Sequence, residues 1–214
     1  MDFRLKHPFS MLVVGPSMSG KTTLVNSLLQ TFNKSSDMSK MNISILWVCR
    51  EPPTSSVVGI EHCASLSIAM KKITEKLYDV IVIDDLMSEL ANDVRLSNLF
   101  TRDSHHKRIS CIVLTQNLFY KSNVYRTMSL NAKYIVLTKT VRDLTQIESL
   151  GRQLFPKYQN LFLEAYRIAT AEPFGYLLID LTQETPDNLR LRSDTFATNT
   201  SALIAPTIYQ IENA

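Results

Sequence analysis

The stretch from Phe9 to Thr22, FSMLVVG followed by PSMSGKT, constrains this chain more than any other. It reads as a short apolar strand, a loop bounded by two glycines and the start of a helix. It fits the phosphate-binding pattern G-x-x-x-x-G-K-[ST] at every fixed position. Gly15 and Gly20 let the backbone wrap closely around an anion and aim successive N–H groups at phosphate oxygens. The following segment, Thr22 to about Phe32, has a helical period with Leu24, Val25, Leu28, Leu29 and Phe32 apolar, so its N-terminal dipole faces the same anion. Gly15, Pro16, Ser17, Met18, Ser19, Gly20, Lys21, Thr22 and Thr23 are therefore the expected nucleotide-binding residues. Lys21 would reach the β- and γ-phosphates as a point charge, and Thr22 would hold Mg²⁺ through its hydroxyl. The implied ligands are a nucleoside triphosphate, ATP, and Mg²⁺.

A second signature is Val80-Ile81-Val82-Ile83-Asp84-Asp85. A continuous apolar run ending in acid is the pattern of a central parallel strand buried on both faces, with its carboxyl end opening on the ligand crevice. Asp84 would meet the Mg²⁺ from the strand tip, and Asp85 is placed to polarise the attacking water as a general base. Two adjacent carboxylates repel each other unless a cation or proton intervenes, which the metal relieves. As an alternative, Asp85 caps a helix at Leu86–Leu90. The run Ile109–Thr115 ends in Gln116-Asn117, and the Gln116 amide could sense the γ-phosphate or orient the water; otherwise it is a turn residue.

The remaining elements are read from periodicity. Strands are expected at Ile43–Cys49, Lys133–Lys139 and Gly175–Leu181, and loop at Asn33–Asn42 and Thr54–Ser67. Helices are expected over Ser67–Leu77, Asp93 to about Ser104, Asn123–Leu130, Arg142–Phe155 and Tyr158–Ala171. About six strands alternating with helices make an α/β protein with a mostly parallel central sheet flanked by helices. Residues 1–181 form the expected ATPase domain. Residues 182–214 are polar, lack clear periodicity, and read as a C-terminal extension that is extended or contacts a neighbouring subunit.

A chain of 214 residues suits one full-sized core. No stretch approaches the roughly 20 apolar residues that span a bilayer, so no membrane partner is expected. Cys49, Cys63 and Cys111 show no metal-ligand spacing, and the first and last lie in apolar runs, which favours reduced thiols in an intracellular setting. The paired His105 and His106 have no third ligand at a sensible spacing. The net charge of +3 is unevenly placed: Arg102–Arg152 holds nine basic residues against three acidic ones. A basic middle third fits contact with a polyanion, although scattered lysines on a solvated face read the same way.

Taken together, GPSMSGKT at Gly15–Thr22, IVIDDLM at Ile81–Met87 and LFTRDSHHKRISCIVLTQNLF at Leu99–Phe119 resemble the virus-encoded DNA-packaging ATPases of the FtsK–HerA superfamily. The likeness continues through RTMSLNAKYIVL at Arg126–Leu137 and RDLTQIESLGRQLFP at Arg142–Pro156. Those of Polinton/Maverick elements and adintoviruses are the nearer likeness, the poxvirus packaging ATPase a more distant one. The resemblance implies a P-loop NTPase of RecA/FtsK-like fold and a homo-oligomeric ring whose ATP sites are completed by the neighbouring subunit. It implies double-stranded DNA and capsid proteins as partners, in a host cell at the site of virus assembly. Under it Lys21, Thr22, Asp84, Asp85 and Gln116 keep the roles given above. An arginine finger is expected, with Arg102 first and Arg126 second; Arg142 and Arg152 match family positions that a salt bridge within the subunit would equally satisfy. Asp85 stands where cellular members carry Glu. Readings from other classes are a small-molecule kinase of nucleotide type, for which no compact Arg-rich lid is visible, and a nucleotide-switched binding module.

Overall fold

The computed structural model describes residues 2–38, 40, 42–52, 57, 59–86, 89, 93–196 and 206–210. Its strands are β1 (Ser10–Val14), β2 (Ile45–Val48), β3 (Ile60–Cys63), β4 (Val80–Ile83), β5 (Ser110–Thr115), β6 (Tyr134–Thr138), β7 (Tyr176–Asp180), β8 (Leu191–Ser193) and β9 (Thr207–Ile208). They form one sheet in the order β3-β2-β4-β5-β1-β6-β7-β8-β9. The strands from β3 through β6 run parallel, and β7, β8 and β9 add on antiparallel. The expected α/β architecture with a mostly parallel sheet is observed.

The apolar runs become central strands because they are buried on both faces. In β1, Leu12 and Val14 face one core while Met11 and Val13 face the other; Ile81 and Ile83 alternate with Val80 and Val82 in β4 in the same way. Helix Lys21–Gln30 closes the second face with Val25, Leu28 and Leu29, joined by Leu5, Phe9 and Phe32. Helices Leu66–Glu75, Thr145–Leu154 and Gln159–Ala169 cover the first face through Ala69, Ile73, Ile147, Leu150, Phe162 and Ala165. Three helix starts carry side-chain caps: Ser65 accepts from the Ile68 amide, Asp93 from the Arg95 amide and Ser122 from the Tyr125 amide.

Four features depart from the sequence reading. The helix expected to run to Phe32 stops at Gln30, and Phe32–Ser35 forms a separate helical turn inside the segment read as loop. The helix after Asp93 is Val94–Asn98 followed by a π-helical turn, Leu99–Asp103, and a short turn at Ser104–His106. β3 occupies part of the expected loop: its Glu61 bonds Lys72, Lys76 and the Tyr78 hydroxyl, so a charged mid-strand residue has partners at this edge. Beyond Leu181, β8 and β9 extend the sheet, and Leu191 and Phe196 are buried. The rest of the expected extension, residues 197–205 and 211–214, lies outside the described residues.

Candidate active site

The site forms where the parallel strands end. β1 runs into Gly15, whose amide donates to the Thr115 carbonyl at 3.1 Å, tying the loop to the tip of β5. On the other side, the Thr138 hydroxyl at the end of β6 lies 3.2 Å from the Val14 carbonyl, to which it can donate, and 2.7 Å from the Ser19 hydroxyl, with which it shares a hydrogen bond. A Cβ on Gly15 would stand 1.8 Å from Thr138 Oγ1, so this close approach admits only glycine. The loop then turns through Gly20, in the left-handed region at φ 88°, into helix Lys21–Gln30.

Lys21 Nζ donates to the Gly15 and Pro16 carbonyls, both at 2.8 Å, and the Thr22 hydroxyl donates to Asp84 Oδ2 at 2.9 Å. The second bond joins the two expected metal ligands directly. Asp85 has φ 52°, a left-handed conformation that aspartate tolerates better than most residues and that turns the chain sharply at the end of β4. A cleft of about 410 Å³ results, lined by Ser17, Met18, Lys21, Thr22, Asp84, Asp85 and Gln116 together with Cys49, Arg50 and Glu51. On the other side of the loop lies a second cleft of about 640 Å³, which shares Ser17 and Gln116 and adds Gly15, Pro16, Thr138 and Val141.

The structure thus brings Lys21, Thr22, Asp84, Asp85 and Gln116 to one place. Arg102 and Arg126 do not line this cleft. Arg102 faces a separate groove with Lys71, Arg95 and Lys107, and Arg126 is exposed on helix Asn123–Asn131. Residues 87, 88 and 90–92, on which the capping alternative for Asp85 depends, lie outside the described residues, as does the His105 side chain. Arg50 and Glu51 escaped the sequence reading. They come directly after β2, which pairs Val48 with Ile83, and a parallel neighbour of the acidic strand ends at the same crevice.

Burial dominates the electrostatics of Asp84 and Lys21 at the cleft. Burial pushes the Asp84 carboxyl up, with Asp85 adding to it, and the Thr22 hydrogen bond and Lys21 oppose this only in part. Burial likewise lowers Lys21, against the pull of Asp84 and Asp85. One buried carboxylate beside a hydroxyl is a hard-oxygen donor pair suited to Mg²⁺, which fills its shell with phosphate oxygens and water rather than with a protein cage. No group of three or more His, Cys, Asp or Glu converges among the described residues.

The raised Asp84 carboxyl has a measurable consequence for stability. Because the folded protein holds Asp84 above its ordinary value of 3.8, the ionised carboxylate opposes folding at neutral pH. That penalty is fully present above the folded pKa, shrinks as pH falls through it, and is gone below 3.8. Asp84→Asn, which keeps an acceptor for Thr22, should melt higher than the parent without ligand at pH 7. The gap should narrow on acidification in a fluorimetric melting series. A lower melting temperature at pH 7 would contradict this electrostatic account.

Among known proteins, no family model matches the chain. No curated protein matches it in sequence. Solved structures do match. The DNA-packaging ATPase B204 from Sulfolobus Turreted Icosahedral Virus superposes with a TM-score of 0.60 at 13% identity, covering 85% of this chain and 96% of that one. The genome packaging NTPase B204 from Sulfolobus turreted icosahedral virus 2 with ATP-gammaS gives 0.57 at 15% identity, covering 83% and 95%. Its complex with AMPPCP gives 0.56 at 14%, again covering 83% and 95%. Identity this low carries the fold and no more, and the fold is that of the P-loop NTPases.

Proposed function

We propose that this chain is an ATP-hydrolysing motor subunit that drives double-stranded viral DNA into a capsid, working in a homo-oligomeric ring. The observation that carries the ATPase part is the convergence of Lys21, Thr22, Asp84, Asp85 and Gln116 on one cleft at the phosphate loop. The packaging part is supported by the blocks that resemble FtsK–HerA packaging ATPases and by a fold shared with two viral packaging enzymes.

In this mechanism the loop amides and Lys21 bind and orient the triphosphate. Thr22 and Asp84 would hold Mg²⁺, which would neutralise charge on the triphosphate. Asp85, held at the strand tip by its left-handed turn, accepts a proton from the attacking water. Gln116 spans the boundary between the two clefts, where it orients that water. Arg102 and Arg126 do not line the cleft of their own subunit, so either would act as a finger only on a neighbour's site.

Subunit mixing tests the ring. Asp85→Ala and Arg102→Ala should each be inactive alone. Mixed, they should recover part of the parent turnover, because some interfaces pair an intact Asp85 with an intact Arg102. If the mixture stays inactive while Arg126→Ala mixed with Asp85→Ala recovers, the finger is Arg126. If neither mixture recovers, the shared-site reading falls.

A further inference from the structure

We infer that Phe174 is the stacking platform for the nucleobase; the inference rests on the nucleotide-site reading above. Thr22–Asp84, Asp85 and Gln116 place the γ-phosphate end on the β4–β5 side of β1. A triphosphate lying along the loop therefore leaves its nucleoside on the opposite side, toward β6 and β7. β7 runs antiparallel to β6 with Tyr176 opposite Thr138, so the turn before β7 opens at the same sheet edge as the phosphate loop.

Phe174 stands in that turn. Its Cδ1 lies 2.8 Å, and its Cγ 3.5 Å, from where a Cβ on Gly20 would be, so the ring is set against the last glycine of the phosphate loop. Phe174 is 70% exposed, and its backbone is left-handed at φ 64°, a rare conformation for a bulky aromatic residue. An exposed ring on a strained backbone beside a ligand loop is costly to the fold and useful to a ligand. The turn is also fixed in place: Gly175 N donates to Glu172 O at 3.1 Å and Lys139 Nζ to Ala171 O at 3.0 Å. A Cβ on Gly175 would lie 2.5 Å from the Ala169 carbonyl. An exposed aromatic face on such a turn gives sequence-tolerant stacking to any base.

Calorimetric titration with the magnesium complexes of AMPPCP and of inorganic tripolyphosphate tests this, since only the first carries a base. Phe174→Ala should weaken AMPPCP about tenfold and leave tripolyphosphate unchanged, while Phe174→Tyr keeps both. Phe174→Trp should show indole fluorescence quenched by AMPPCP and not by tripolyphosphate. Equal weakening of both ligands, or no change in either, overturns the inference. So does a Phe174→Ala protein whose only change is a smaller assembly by light scattering, because a neighbouring subunit then covers the ring. If the parent binds neither ligand, or Lys21→Ala binds both as tightly as the parent, the nucleotide site itself is misread, and the inference goes with it.

Discussion

Lys21→Ala is expected to lower ATP turnover by at least about 10²–10³-fold, the usual consequence of deleting one preorganised charge at a phosphoryl-transfer site. The fold should not suffer. Lys21 is held below its ordinary basicity by burial, and its ammonium donates to the Gly15 and Pro16 carbonyls. The unfolded chain binds that proton more readily than the folded one, so the charged lysine opposes folding below its ordinary value of 10.5 and the alanine removes that opposition. Steady-state kinetics beside a melting curve separates the two effects. Loss of activity with unchanged or raised melting temperature is the expected pair; loss of both would mean that Lys21 acts as a structural clamp on the loop.

The largest expected effect on stability lies far from the nucleotide. Arg192 and Asp180 form an ion pair at 2.6 Å with both side chains at least 95% buried, since their exposures are 3% and 5%. Each is otherwise satisfied. Arg192 Nε donates to the Leu189 carbonyl and Nη1 to that of Phe3, while Asp180 accepts from the Thr182 amide and hydroxyl and from Thr185. Removing one member leaves the other charge buried and unpaired. Arg192→Ala should therefore cost about 3–5 kcal/mol in urea unfolding. Arg4→Ala, which breaks the exposed pair with Asp2, should leave the urea midpoint nearly unchanged. Replacing Asp180 and Arg192 together by leucine should recover much of the loss, since the penalty is for the orphaned charge rather than for the missing bond. A loss no larger than that of Arg4→Ala would show that β8 opens to water and is not part of the folding unit.

Legibility in the sequence tracked the reach of each interaction. β1, the phosphate loop and the start of its helix are contiguous in the chain, and β4 is an unbroken apolar run ending in two acids, so motif and burial read the same way. β3 was hidden because Glu61 and His62 interrupt it, and only the partners Lys72, Lys76 and Tyr78 show why an acid is tolerated there. β8 was hidden for the same reason: Leu-Arg-Ser reads as polar until Asp180 is seen facing Arg192. The site shows the same divide. Lys21 and Thr22 announce themselves in the phosphate-loop motif, and Asp84, Asp85 and Gln116 at strand ends. Thr138 against Gly15, Phe174 against Gly20, and Arg50 and Glu51 on the cleft are contacts between distant segments, and no local pattern encodes them. The pairing of β2 with β4 carries the residues after Val48 to the tip of the acidic strand, and that pairing alone would have located Arg50 and Glu51.

The central claim is that hydrolysis at this cleft is coupled to duplex DNA. Its most direct test is the ATP turnover of the full chain with and without long linear duplex DNA, at two salt concentrations. The account predicts that DNA accelerates turnover, that the acceleration fades as salt displaces phosphate contacts, and that Lys21→Ala shows neither. Turnover that ignores DNA at both salt concentrations and rises instead when a nucleoside monophosphate is added would identify a nucleotide kinase on the same fold, and would contradict the packaging motor.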